Sequence, residues 1–144
     1  MTFVKAVPEE EQHVLMYLGS LIEEVRDAFE GEDWGGLRQS HFRVISAVPP
    51  EGISVTELGQ RVRMTKQGCG QFVTQLVQTG HLVTEDDPGD RRLRIVRRTR
   101  LGDRTMVAVA RRMASIEQTW IETVGERRYR TFRSVVDTLA VRGP

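Results

Sequence analysis

The stretch SVTELGQRVRMTKQGCGQFVTQLVQTG, Ser54 to Gly80, decides the fold. Ser54 followed three residues later by Glu57 is a capping box: the hydroxyl accepts one orphan N–H, and the glutamate reaches back to the cap residue. The helix it opens is short, about Val55 to Arg61. After a brief turn, Thr65 is placed to cap a second helix. That helix closes at Gly80, a residue suited to the left-handed position past a helix end. Cys69, Phe72, Val73, Leu76 and Val77 fall at i, i+3, i+4, i+7 and i+8, one apolar stripe. Two helices on a short turn form a helix-turn-helix.

Downstream the apolar period changes from 3.6 to 2. His81–Glu85 and Arg92–Arg98 read as strands, with Leu93 and Ile95 on one face. The turn formers Asp86-Asp-Pro-Gly-Asp90 join them into a hairpin, a wing. Thr99 caps a long helix, Arg100 to Val124, carrying Leu101, Met106, Val109, Met113, Ile116, Trp120 and Ile121. Gly125 interrupts it, and a last helix carries Tyr129, Phe132, Val136 and Leu139. Upstream, Pro8 and the carboxylates of Glu9 to Glu11 suit a helix start. Val14, Leu15, Leu18, Leu21, Ile22, Val25 and Phe29 continue that helix until Gly31. A loop around Trp34 leads to a helix from Leu37 to Val48, stopped by Pro49-Pro50. The expected fold is mainly α with a small β-hairpin wing. It is a winged helix-turn-helix (about 37–98) within one domain (1–144), flanked by dimerisation helices (about 8–30 and 100–141).

The chain has 144 residues, 39% hydrophobic and 28% charged, which fits one globular domain. Its beginning has no apolar leader region, and no apolar run approaches the roughly 20 residues of a membrane span. The single cysteine, Cys69, excludes an intrachain disulfide and fits a reducing cytoplasm. One thiol and three histidines without HxxxH or HxH spacing give no metal site. No Ser-His-Asp set, phosphate loop or paired carboxylate stands out, so neither an enzyme nor a cofactor is expected.

Net charge is only +1, but it is unevenly spread. Acidic residues outnumber basic ones by seven from Met1 to Gln60, and basic residues lead by seven from Arg61 to Arg112. Such asymmetry suits one surface meeting a polyanion. With its stripe inward, the second helix of the motif turns Lys66, Gln67, Gly70, Gln71, Thr74, Gln75 and Gln78 outward. It has four glutamines and no carboxylate. Glutamine can pair with adenine, lysine with guanine, and threonine with phosphate or a thymine methyl. Ser54 and Thr65 stand at the two helix starts. Asp90, Arg91, Arg92 and Arg94 occupy the wing, where arginine suits phosphate and narrow minor grooves. Double-stranded DNA is therefore the expected partner. The alternative is a winged-helix module for protein–protein contact.

The sequence resembles the MarR family of winged-helix regulators. The resemblance rests on Ser54-Val-Thr-Glu-Leu58, Thr65-Lys66, Leu76-x-x-x-Gly80, Asp87-Pro-Gly-Asp90-Arg-Arg92 and Thr99-x-x-Gly102. It implies a homodimer joined through its terminal helices that represses from a palindromic operator. It also implies release by a small phenolic or anionic effector. By the same analogy His13, Tyr17, His41 and Trp120 are candidates for that effector's site. Long apolar faces on the first, fifth and sixth helices independently ask for a partner copy. Four residues depart from the pattern: Arg98 stands where an apolar residue is usual, Arg63 stands at a turn position that often holds glycine, and Gly68 and Gly70 soften the reading helix. The family's peroxide-sensing cysteine lies in the first helix, which here has none, and Cys69 on the stripe reads as core filler.

Overall fold

The computed structural model describes residues 3–142. Two short 3-10 turns, Phe3–Ala6 and Glu9–Glu11, precede α1 (Val14–Glu30). Then come α2 (Gln39–Ser46), β1 (Ile53–Ser54), α3 (Val55–Val62) and α4 (Lys66–Gln78). The hairpin is β2 (Leu82–Asp86) and β3 (Arg94–Arg98), followed by α5 (Arg100–Val124) and α6 (Glu126–Val141). The chain divides into two compact units, one up to Ala108 and one from Val109.

In the first unit the starts of α3 and α4 are fixed by local caps. Ser54 Oγ accepts from Glu57 N at 3.2 Å, and Thr65 Oγ1 accepts from Gly68 N at 3.0 Å. Gly80 follows α4 at φ +84°, the conformation foreseen for it. Thr99 bridges two elements: its Oγ1 accepts from Gly102 N at 3.1 Å and donates to the Gly80 carbonyl at 2.6 Å. Val44, Ile45 and Val48 from α2 and its end pack with Leu58 and Val62 of α3 and with Cys69, Val73 and Leu76 of α4. Leu82 and Val96 close this core from the sheet, and every one of these side chains is at most 4% exposed.

Several boundaries differ from expectation, each for a physical reason. α1 begins at Val14, not Pro8. Gln12 and His13 are extended, and the Gln12 amide donates to the Val7 carbonyl at 2.8 Å, folding the entry segment back on itself. α2 excludes Leu37, because Arg38 is extended and its N–H is capped by His41 Nδ1 at 2.9 Å. β3 begins at Arg94 because Leu93 belongs to the turn: its N–H goes to Asp90 O and its carbonyl accepts from Asp87 N, both at 3.0 Å. The core-facing residue of β3 is Val96, not Leu93 or Ile95. A third strand, β1, was not foreseen. It pairs antiparallel with β3, Ile53 opposite Val96 and Ser54 opposite Ile95, giving the order β1-β3-β2.

In the second unit Gly125 takes φ +89° and breaks the helical path before α6. Ile116 and Tyr129 are buried. The Tyr129 ring lies 5.8 Å from that of Phe132. Burial, then a hydrogen bond to Glu117, pushes the Tyr129 phenol up from 10.0. Phe132, Val135, Val136 and Leu139 of α6 remain exposed. No described helix is long and apolar enough to cross a membrane.

Candidate nucleic-acid interface

The caps of α3 and α4 place two helix starts beside the hairpin, and a groove of about 730 Å³ opens between α4 and the wing. Ser54 and Thr56 contribute from the start of α3; Lys66, Gln67, Gly70 and Thr74 from α4; and Thr84, Arg92 and Arg94 from the hairpin. Three cations line it and, among the described residues, no carboxylate does. In the α4 stripe Cys69, Val73 and Leu76 are buried, which fixes the rotation of the helix and turns Lys66, Gln67, Gln71, Thr74 and Gln75 to the outside.

The expected site residues fall into distinct places. Lys66, Gln67, Gly70 and Thr74 share the groove with Arg92 and Arg94, and the Thr74 hydroxyl donates to the Gly70 carbonyl at 2.9 Å. Gln71 is exposed but lies outside that lining. Gln75 is on the opposite flank of α4, with its Oε1 3.0 Å from His41 Nε2. Thr65 and Ser54 serve as caps, and Ser54 is buried, so its hydroxyl already has a partner. Asp90 shapes the wing: its carboxylate accepts from Arg92 N at 2.9 Å, as that of Asp87 does from Gly89 N at 2.8 Å. Arg91 is exposed at the tip.

Two further arginines of the hairpin turn inward to the fold. Arg97 pairs with Glu85, and its Nη1 donates to the Glu51 carbonyl at 2.7 Å. Arg98 donates to the carbonyls of Ile45 and Ser46 at the end of α2. The basic patch is thus narrower than a count of arginines suggests. Thr56 and Thr84 line the groove without having been expected there. The alternation that buries Leu82 places Thr84 two residues on along the same strand face, so a period-2 reading of β2 was a usable signal.

Residues 36–93, which carry all of the groove lining except Arg94, match the model of the MarR family. Over that stretch the chain is similar to the MarR family. Its fold recurs among solved structures. MarR itself superposes at a TM-score of 0.79 with 20% identity, covering 93% of this chain and 92% of that one. The PcaV transcriptional regulator from Streptomyces coelicolor, in complex with its natural ligand, gives 0.70 and 19%, covering 93% and 96%. FabT of Streptococcus pneumoniae, in complex with DNA, gives 0.75 and 14%, covering 88% and 92%. No curated protein sequence matches the chain.

Of the four side chains expected around an effector, His13, Tyr17 and His41 belong to the first unit and Trp120 to the second. His13 is the exposed residue before α1, and the Tyr17 hydroxyl donates to Gln12 Oε1 at 2.5 Å. His41 lines a cleft of about 550 Å³ with Arg38, Phe72 and Gln75; His13 and Tyr17 do not. Trp120 is half-buried in the second unit. Cys69 is fully buried, and burial raises its thiol above 9.0. A cluster not expected from sequence is the stack of Phe29 on Trp34, 5.4 Å between centroids, with Phe42 edge-on to Trp34 at 5.2 Å. Its indole N–H donates to the Phe29 carbonyl at 3.1 Å, which closes the loop between α1 and α2.

Proposed function

We propose that this chain is a MarR-type regulator, a sequence-specific, double-stranded DNA-binding transcriptional regulator. It acts as a homodimeric repressor on a palindromic operator and is relieved by a small phenolic or anionic molecule. The observation that carries the reading is the groove between α4 and the wing, where Lys66, Arg92 and Arg94 converge without a carboxylate. A groove of that charge, bounded by one exposed helix and a hairpin, suits a sugar–phosphate strand. The outward face of α4 then enters the major groove, and the Arg91–Arg92 tip the minor groove. Gln67 and Gln71 are the base readers in this arrangement, while Lys66, Thr74, Arg92 and Arg94 hold the backbone.

The homodimer is supported by apolar side chains that this chain leaves wet. Val14, Leu15 and Ile22 are exposed on α1, and Phe132, Val135, Val136 and Leu139 on α6. Dimerisation through segments 8–30 and 100–141 presents two reading lobes, 37–98, to half-sites about 10–10.5 bp apart or a multiple of that. The effector draws on PcaV, whose structure holds its natural ligand.

The deciding experiment is binding-site selection from a randomised duplex pool with the full chain, followed by gel shifts at rising salt. We expect a two-fold-related selected sequence and affinity that falls steeply with salt as phosphate contacts release counterions. Failure to enrich any sequence, or a salt-insensitive complex, sinks the reading. Light scattering on the free protein should give twice the 16.4 kDa chain mass.

A further inference from the structure

We propose that His41 is a positioning residue for Gln75, fixing which end of the Gln75 amide the reading helix presents to DNA; this rests on the DNA-binding reading above. The chain of donors begins at the Arg38 backbone N–H, which can only donate. It lies 2.9 Å from His41 Nδ1, so Nδ1 is the acceptor. A neutral imidazole that accepts at Nδ1 carries its proton on Nε2. Nε2 lies 3.0 Å from Gln75 Oε1, so the amide oxygen accepts and faces α2. The Gln75 NH2 is thereby left leading outward with two donors. The ring cannot easily swing away, because Phe72 of α4 packs edge-on against it at 5.1 Å and 77°.

An unpinned glutamine can offer its oxygen and its nitrogen side by side, the pairing that suits adenine. Gln75, with its oxygen held from behind, offers N–H groups instead and fits an acceptor edge, either guanine N7 and O6 or a phosphate oxygen. His41 therefore belongs to the reading apparatus although it sits on α2, and it ties the first turn of α2 to the third turn of α4.

The test uses the full chain and four forms: wild type, His41→Asn, Gln75→Ala and the double variant. Asparagine keeps an acceptor for the Arg38 N–H, preserving the start of α2, but is too short to reach Gln75. On the duplex selected by the wild type, His41→Asn should weaken binding roughly three- to tenfold, the worth of one hydrogen bond. It should add nothing in the Gln75→Ala background. His41→Gln, which restores a donor near the Nε2 position, should recover part of the loss. In the free protein, long-range proton–nitrogen NMR should show the Nε2–H tautomer of His41, and the Gln75 side-chain amide signals should move in His41→Asn. A guanine contact alters the selected base when Gln75 is removed, whereas a phosphate contact lowers affinity equally on all duplexes. An Nδ1–H tautomer, or losses that add in the double variant, overturns the proposal. If the wild type binds no duplex, the regulator reading and the reading role of Gln75 fall together, while the NMR signals still decide whether the pair forms.

Discussion

Arg98 holds the end of α2: its Nε donates to the Ile45 carbonyl and its Nη2 to the Ser46 carbonyl, both at 2.9 Å. The i+4 positions for the Ile45 and Ser46 carbonyls fall on Pro49 and Pro50, which have no N–H. Of the two, only Ile45 gains a backbone donor among the described residues, from Val48 N at 3.1 Å. Arg61 completes the arrangement from α3, donating to the Ala47 carbonyl at 3.2 Å. A guanidinium at this end is also favoured by the helix dipole.

Arg98→Met should therefore destabilise the chain by about 1–3 kcal/mol, because two carbonyls lose charged donors. Urea denaturation should show a lower midpoint with an unchanged slope. Arg98→Lys should recover only part of this, since one ammonium does not reproduce the planar fork. Wild-type stability in Arg98→Met would mean that water replaces the contact without loss.

Two glycines should respond in opposite directions to alanine. A Cβ on Gly102 would lie 2.3 Å from the His81 carbonyl oxygen, so Gly102→Ala must push α5 off β2 and should cost about 2 kcal/mol or more. A Cβ on Gly70 meets nothing within 4 Å, and Gly70→Ala should stabilise α4 by about 1 kcal/mol. The methyl would nonetheless enter the groove, so a higher melting temperature with weaker DNA binding is the expected pair. Tighter binding from Gly70→Ala would move the DNA backbone away from this face.

His81 should make the fold acid-sensitive. Burial, and then the charge of His41, lower it from 6.5, and its Nδ1 lies 2.7 Å from the Thr79 hydroxyl. A lowered histidine favours the neutral form when folded, so the unfolded chain binds the extra proton. Its contribution is fully present above about 6.5 and is lost as pH falls through the lower folded value. Denaturation midpoints taken between pH 7.5 and 5 should drop more steeply in the wild type than in His81→Gln. Parallel curves would remove His81 from the account.

Cys69 should be unreactive while the protein is folded. It is fully buried in the α3–α4 core, and burial raises its thiol, which leaves little thiolate. A thiol reagent at pH 7.5 should label it only in denaturant, and peroxide should leave DNA affinity unchanged. Rapid native labelling would reopen a redox role.

The parts of this fold that could be read from sequence are those written locally. Ser54, Thr65, Gly80 and Thr99 mark helix ends because a cap is satisfied within three or four residues, and all four do so. At Ser54 only the hydroxyl half of the expected capping box forms, and the Glu57 side chain does not reach back. The α4 stripe was legible for the same reason. What escaped depends on partners far along the chain. The two-residue β1 has no period of its own and exists only because Ile53 meets Val96. Arg97 and Arg98 look like their neighbours Arg92 and Arg94 until the carbonyls of Glu51, Ile45 and Ser46 come within reach. His41 could be placed on a helix face from sequence, but its two nitrogen partners lie on Arg38 and Gln75, one local and one 34 residues away.

The joint at Gly52–Val55 limits how this chain can change length. Gly52 sits at φ +86°, where an added Cβ would lie 2.7 Å from Ile95 Cγ2, and the next two residues are all there is of β1. Ser54 then caps α3 while facing Ile95 across the sheet. One residue inserted here would slide Ile53 off Val96 and uncap α3 in the same event, because strand register has a period of two. An insertion among Asp87 to Asp90 meets no such double constraint and only lengthens the hairpin. Insertions and deletions among homologues should gather at that tip and spare the joint, and a fluorophore or affinity tag grafted into the lobe belongs there.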